Sequence, residues 1–146
     1  MEWLTDEQQR IWRNYLAMSS RLHTAMHRQL QADCELSLSD YDVLVALSEH
    51  GPMRINELGE HLAWEQSRLS HQLRRMRGRG MIDRQGDADD RRGATVAITD
   101  AGLAALETAA PGHVDLVRSV VFDGLAPGEL AALDTAIETV LRRLDR

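Results

Sequence analysis

The chain predicts a mainly α fold with a small β-hairpin wing, a winged helix-turn-helix set between long N- and C-terminal helices. Three observations predict it. Residues 54–102 read in order as a short helix, a turn, an arginine-studded helix and a two-stranded hairpin with a polar tip. The stretch 66–84 carries six arginines against one acid, Asp83, whereas the remainder carries 11 arginines against 22 acids. Long amphipathic helices flank this unit on both sides.

At 146 residues and 43% apolar content, the chain buries one core and leaves little room for a separate catalytic domain. No apolar run approaches the roughly 18 to 20 residues of a membrane span, and the opening MEWLTDEQQR is polar rather than signal-like. The expected setting is the cytoplasm, with no membrane partner. A lone cysteine, Cys34, forms no internal disulfide and fits a reducing compartment. All 17 basic residues are arginine. A protein of net charge −6 that gathers its positive charge on one element has the asymmetry of a chain in which only that element meets a polyanion. A solvated helix face is the alternative, and the helix before and hairpin after weigh against it.

Taken in order, the first helix is expected over 6–31, with Thr5 as N-cap and apolar positions at Ile11, Trp12, Tyr15, Met18, Leu22, Met26 and Leu30. A linker follows, and Ser39 is expected to cap a second helix over 40–50 with Tyr41, Val43, Leu44 and Leu47 inward. Gly51-Pro52 ends it, glycine supplying the left-handed stop and proline refusing to continue the ladder. A third helix over 55–62 and a turn over 63–65 lead to the fourth, 66–79. There Leu69, Leu73 and Met76 define the buried stripe, and Gly78 and Gly80 end the helix.

Residues 81–85 and 94–98 read as strands around the tip GDADDRRG. Thr99 should cap a fifth helix that runs to about Phe122, with a kink or break near Pro111-Gly112. The last helix, 127–144, opens on proline, where the missing N–H costs least. Its residues Leu130, Leu133, Ile137, Val140 and Leu144 form a heptad-like seam that wants a partner helix, from the same chain or another.

The segment DRRGATVAITDAG resembles the wing signature of the MarR family of bacterial transcriptional regulators: Asp90 and Arg92, β-branched Val96, then Ile98, Thr99 and Gly102 entering the next helix. LSLSDYDVLVAL, INELGEHL and QSRLSHQLRRMRGRGMIDR resemble the preceding helices of that family, so the likeness spans nearly the whole chain. It implies a single unit over 1–146, with the winged lobe at 39–98 and dimerisation helices at 1–32 and 99–146. It further implies a homodimer reading an inverted repeat in double-stranded DNA, a repressor more than an activator. Two recognition helices related by a two-fold axis enter successive major grooves about 34 to 36 Å apart.

On the fourth helix Ser67, Arg68, Ser70, His71, Arg74 and Arg75 are the candidate DNA-facing residues. Arginine bridges guanine O6 and N7, while serine hydroxyls more often hold phosphates. Arg75, Arg77 and Arg79 suit phosphate contact or solubility equally. In the wing, Arg91 and Arg92 are candidates for minor-groove or phosphate contact, a narrow groove's negative potential attracting arginine, and the resemblance makes Asp90 a brace for a wing arginine. Relatives that bind small aromatic or phenolic effectors suggest a pocket at Trp12, Tyr15, Ser19 and His23, which share one helix face, with Asp42 opposite. Core or dimer packing is the competing role for Trp12 and Tyr15.

Other classes are weakly signalled. His23 and His27 at i and i+4, near Asp33 and Cys34, could present imidazoles to a metal in a metal-responsive regulator of the same fold, though no cofactor is expected. Peroxide sensing through Cys34 needs a lowered thiol pKa. No phosphate loop, nucleophile elbow or paired-cysteine motif marks an enzyme, and Ser70 and His71, adjacent on a helix, point about 100° apart. A winged module that binds protein instead of DNA remains the alternative, in keeping with the acidic total charge.

Overall fold

A computed structural model describes residues 1–86 and 94–146. Six α-helices and a three-stranded antiparallel sheet are described: α1 (Asp6–Cys34), α2 (Leu38–His50), β1 (Met53–Arg54), α3 (Ile55–Leu62), α4 (Gln66–Gly78), β2 (Ile82–Gln85), β3 (Thr95–Ile98), α5 (Asp100–Val117) and α6 (Pro127–Leu144). The helix-turn-helix and hairpin expected from sequence are present, and α3 and α6 have the expected limits.

Local chemistry explains most boundaries. Thr5 and Gln8 form a reciprocal capping box at the start of α1: the Gln8 N–H donates to Thr5 Oγ1 and the Thr5 N–H donates to Gln8 Oε1. That helix runs three residues beyond the expected Gln31 and ends only where Glu35 turns left-handed, at φ 56°. The cap of α2 is Ser37, not Ser39. Ser37 and Asp40 satisfy each other's backbone N–H groups at 3.0 and 2.9 Å, and that reciprocal pair starts the helix two residues early. Gly51 ends α2 as expected, but with φ 74° and ψ −165° it takes an extended positive-φ conformation open to glycine instead of the left-handed helical stop.

The sheet has the order β1-β3-β2, with Met53 opposite Val96 and Ile82 opposite Ile98. The two-residue β1 has no periodicity to betray it in sequence. Thr99 caps α5, its hydroxyl accepting the Gly102 N–H. No helix break occurs at Pro111, against expectation. There α5 packs on α1 so closely that a Cβ on Gly112 would lie 2.5 Å from Asp33 Oδ2 and 2.6 Å from Gln29 Nε2, and that contact holds the helix through the lost hydrogen bond. Irregularity enters later, as a π-helical turn over Arg118–Phe122.

The core is centred on the winged lobe and reaches into α1 and α5: Leu30 and Leu36 meet Val43, Leu44, Leu47, Leu58, Leu69 and Met76, all essentially sealed from water, with Leu106 and Ala109 of α5 in the same cluster. Away from it the chain is open. Leu30 is the one buried residue of α1, and α6 buries none. Large apolar side chains therefore face outward along α1 (Ile11, Trp12, Tyr15, Leu16), around the π-helical turn (Val120, Phe122) and along α6 (Leu130, Ile137, Val140, Leu144). The α6 seam has no buried face within the chain. No described helix is long and apolar enough to cross a membrane.

Candidate nucleic-acid interface

Helix α4 presents two chemically distinct faces. Leu69, Gln72, Leu73 and Met76 are buried, while Ser67, Arg68, Ser70, His71, Arg74, Arg75 and Arg77 are exposed. The 3.6-residue period does the sorting: each apolar position lies three or four residues from the next. The helix has no side-chain N-cap, so the N–H groups of its first turn carry no side-chain acceptor from the capping residue. Unsatisfied N–H groups at a helix start favour an anion.

Arg68, in that first turn, lies with its guanidinium 4.2 Å from the centre of the Trp64 ring. Trp64 sits in the turn between α3 and α4 and packs against the core, so the arginine rests on a fixed support. Nothing in the arginine pattern itself identifies Trp64, but an aromatic four residues before an arginine at a helix start was the available signal. On the other side of this corner lies Asp42, half-buried on α2. Burial holds its carboxyl above the usual carboxylate range, an effect that the nearby positive charge offsets only in part.

Further along α4 a groove of about 220 Å³ opens between the helix and the base of the wing. Ser70, Arg74 and Arg77 line it from α4, Asp83 and Arg84 from β2, over a floor that includes Leu73, Ile82 and Val96. Three arginines against one carboxylate make it an electropositive slot. Arg84 is a member that sequence reasoning missed, because it joins the helix only through the sheet. The wing residues Asp90, Arg91 and Arg92 lie outside the described residues.

Arg79 is placed differently from its neighbours. It closes α4 and turns inward, pairing with the buried Asp40 at 3.1 Å.

On α1, Trp12 and Tyr15 stack with ring centres 5.5 Å apart, and together with Ser19 and His23 they are exposed in the single chain. They are therefore not part of this chain's own core. A hollow of about 430 Å³ lies against α5 and the π-helical turn, lined by His113, Val114, Val117, Arg118 and Phe122. His113 packs at 4.4 Å on the Tyr41 ring, its Nδ1 is buried without a hydrogen-bond partner, and burial lowers its pKa.

The histidine and cysteine spacing on α1 has local uses. The Leu38 N–H donates to His27 Nδ1 at 3.4 Å, and Cys34 Sγ donates to the Leu30 carbonyl. Burial pushes the Cys34 thiol up, which opposes thiolate formation. Among the described residues no group of three or more His, Cys, Asp or Glu comes together to hold a metal ion.

A helix-turn-helix whose second helix is bare and basic, followed by a hairpin, defines a winged-helix regulator. A sequence profile of the MarR family matches residues 36–93. Sco3205, a MarR family transcriptional regulator from Streptomyces coelicolor solved in complex with DNA, superposes with a TM-score of 0.93 at 36% identity, over 100% of this chain and 92% of that one. AbsC, another MarR family regulator from the same organism, gives 0.91 at 36% identity, over 99% of each chain. The organic hydroperoxide resistance transcriptional regulator of Bacillus subtilis is 28% identical over 130 residues, 88% of this chain and 86% of the relative. The chain belongs to the MarR family of transcriptional regulators.

Proposed function

We propose that this regulator binds an inverted repeat in duplex DNA as a homodimer, represses from that site, and releases it when a small aromatic or phenolic effector binds. It acts by binding, not by catalysis. The observation that carries the reading is the exposed face of α4, on which Ser67, Arg68, Ser70, His71, Arg74 and Arg75 stand clear of the core and run into the arginine-lined groove. In this reading Ser67, Arg68 and Ser70 lie nearest base edges. Arg74, Arg77 and Arg84 take backbone phosphate in the groove, Arg91 and Arg92 reach the adjacent minor groove, and Asp90 braces them.

The second copy is called for by the apolar surface. Ile11, Leu16, Ile137, Val140 and Leu144 are large aliphatic side chains left in water by the single chain, on the helices that flank the winged lobe. A two-fold pairing of α1, α5 and α6 covers them and sets the two α4 helices for successive major grooves. This divides the chain into a reading lobe over 39–98 and dimerisation helices over 1–32 and 99–146.

For the effector, the stacked Trp12 and Tyr15 offer aromatic walls, and Ser19, His23 and half-buried Asp42 offer polar groups at the corner beside Arg68. DNA release then follows from a shift toward a dimer spacing that no longer matches the half-sites.

The test is duplex binding titrated in salt, with DNA flanking the coding sequence and with unrelated DNA. Tight and selective binding by a dimer is expected, with the log of affinity falling by about 0.9 per neutralised phosphate against the log of salt. Salt-insensitive binding to a protein, with no duplex binding, would overturn the reading in favour of a protein-interaction module.

A further inference from the structure

Asp40 is a buried carboxylate that the DNA-facing reading leaves unused. Its side chain is 4% exposed, and it accepts hydrogen bonds from three parts of the chain. The Ser37 N–H donates at 2.9 Å from the start of α2, Gln72 Nε2 at 2.5 Å from the middle of α4, and Arg79 Nη1 at 3.1 Å from the residue that closes α4. The same guanidinium donates through Nη2 to the Glu35 carbonyl at 3.0 Å, where α1 ends. One arginine thus ties the end of α4 to the end of α1 and the start of α2. Its planar fork fixes both acceptors in direction, which a lysine ammonium does not. Immediately beyond, the Gly80 carbonyl accepts the Thr99 hydroxyl at 2.6 Å and the Met81 carbonyl accepts the Thr99 N–H at 3.0 Å, so α5 is joined to the same corner.

We propose that Arg79 is a positioning residue for sequence reading: through Asp40 and Glu35 it sets the axis of α4 against α1 and α2, and it does not itself meet DNA. The inference rests on the proposed DNA binding. In sequence Arg79 is one more arginine in a basic run with Arg74, Arg75 and Arg77. In the fold its charge faces a carboxylate, while theirs are exposed on the outer faces of α4. Because α1 also carries apolar surface for a second copy, a change in the tilt of α1 reaches α4 at this joint. That makes it a physical link between dimer geometry and the reading helix.

The experiment compares full-length wild type with Arg79→Ala, Arg79→Lys, Asp40→Asn and, as a phosphate-contact control, Arg74→Ala. Binding is measured in a salt titration to a duplex selected by the wild type from a random pool and to an unrelated duplex, with melting temperatures alongside. Arg79→Ala is expected to lower affinity for the selected duplex by about tenfold. Affinity for the unrelated duplex and the salt slope should stay as in wild type, and Arg79→Lys should restore only part of the loss. Asp40→Asn should act in the same direction, and the double substitution should cost less than the two single losses combined.

A slope shallower by about 0.9 in Arg79→Ala, with both duplexes weakened alike, would mark a phosphate contact and overturn the inference. Tighter binding in Asp40→Asn, from an arginine released toward DNA, would overturn it too. The Arg79 variants change a half-exposed side chain, so they decide the matter even if Asp40→Asn fails to fold. A wild type that selects no duplex sinks the DNA reading and this inference together; a selecting wild type with an unaffected Arg79→Ala sinks the inference alone.

Discussion

Arg74 stands on the exposed face of α4 and lines the arginine groove with Arg77 and Arg84. Removing one phosphate contact there should cost affinity for all duplexes about equally, so Arg74→Ala is expected to shallow the salt slope by about 0.9 while leaving the dimer intact. An unchanged slope would remove Arg74 from the interface. At the same scale, His113 is held neutral by burial against Tyr41, while in the unfolded chain it takes a proton at the ordinary imidazole value of 6.5. Its folded pKa is the lower of the two, so the stability it supports is complete above that ordinary value and declines as pH falls through it. The melting temperature should therefore drop between about pH 7.5 and about pH 5.5, and His113→Phe, which keeps an aromatic ring against Tyr41, should flatten part of the drop. An identical pH profile for the variant would show that the histidine does not titrate between the two states. These residues differ in legibility. The outward arginines of α4 are readable from spacing, whereas His113 and Asp40 draw their roles from neighbours on other helices.

Helix ends carry the next level of organisation. Gly102 sits in the first turn of α5, and an added Cβ would overlap the Met81 carbonyl oxygen, which belongs to backbone and has little room to give. Gly102→Ala is expected to destabilise by about 1 to 3 kcal/mol through overpacking, read as a lower midpoint in thermal or denaturant unfolding. An unchanged midpoint would mean that the wing and α5 are not locked together at this contact. Sequence places this glycine after Thr99 as part of a motif, and the fold supplies the reason that a side chain is excluded. The Ser37 cap shows the reverse. Both Ser37 and Ser39 precede the apolar face of α2, and each has an aspartate three residues on, Asp40 and Asp42, so the capping pattern fits both and the fold decides for Ser37. Pro111 is a similar case. Proline inside a helix normally signals a break, and the close packing of Gly112 on α1 outweighs that local preference.

For the whole molecule, the exposed seam of α6 is the strongest statement about assembly. Leu130, Ile137, Val140 and Leu144 repeat at heptad spacing with no covering helix among the described residues. Ile137→Glu, which places a charge in the middle of that seam, is expected to shift the protein to monomer in sedimentation analysis and to lose selective duplex binding, while the winged lobe keeps its fold. A dimer of undiminished stability would put the interface elsewhere. Because the two reading heads would be joined only through these helices, their spacing would be the variable that the proposed effector changes. Such a shift requires unequal affinity of the effector for the two spacings.

The element order, the buried stripe of α4, the cluster of charge on one helix and the family likeness all lie in local sequence, because helix and strand periods and capping chemistry act within a few residues. Tertiary structure decided which arginines line the groove and which one is tied to a buried carboxylate. Arg74 and Arg79 look alike along the chain, yet one borders an open groove and the other reaches 39 residues back to Asp40. It also decided that Trp64 supports Arg68 and that Arg84 joins the groove. These pairings depend on how helices and strands distant in sequence pack against one another, and periodicity carries no record of that.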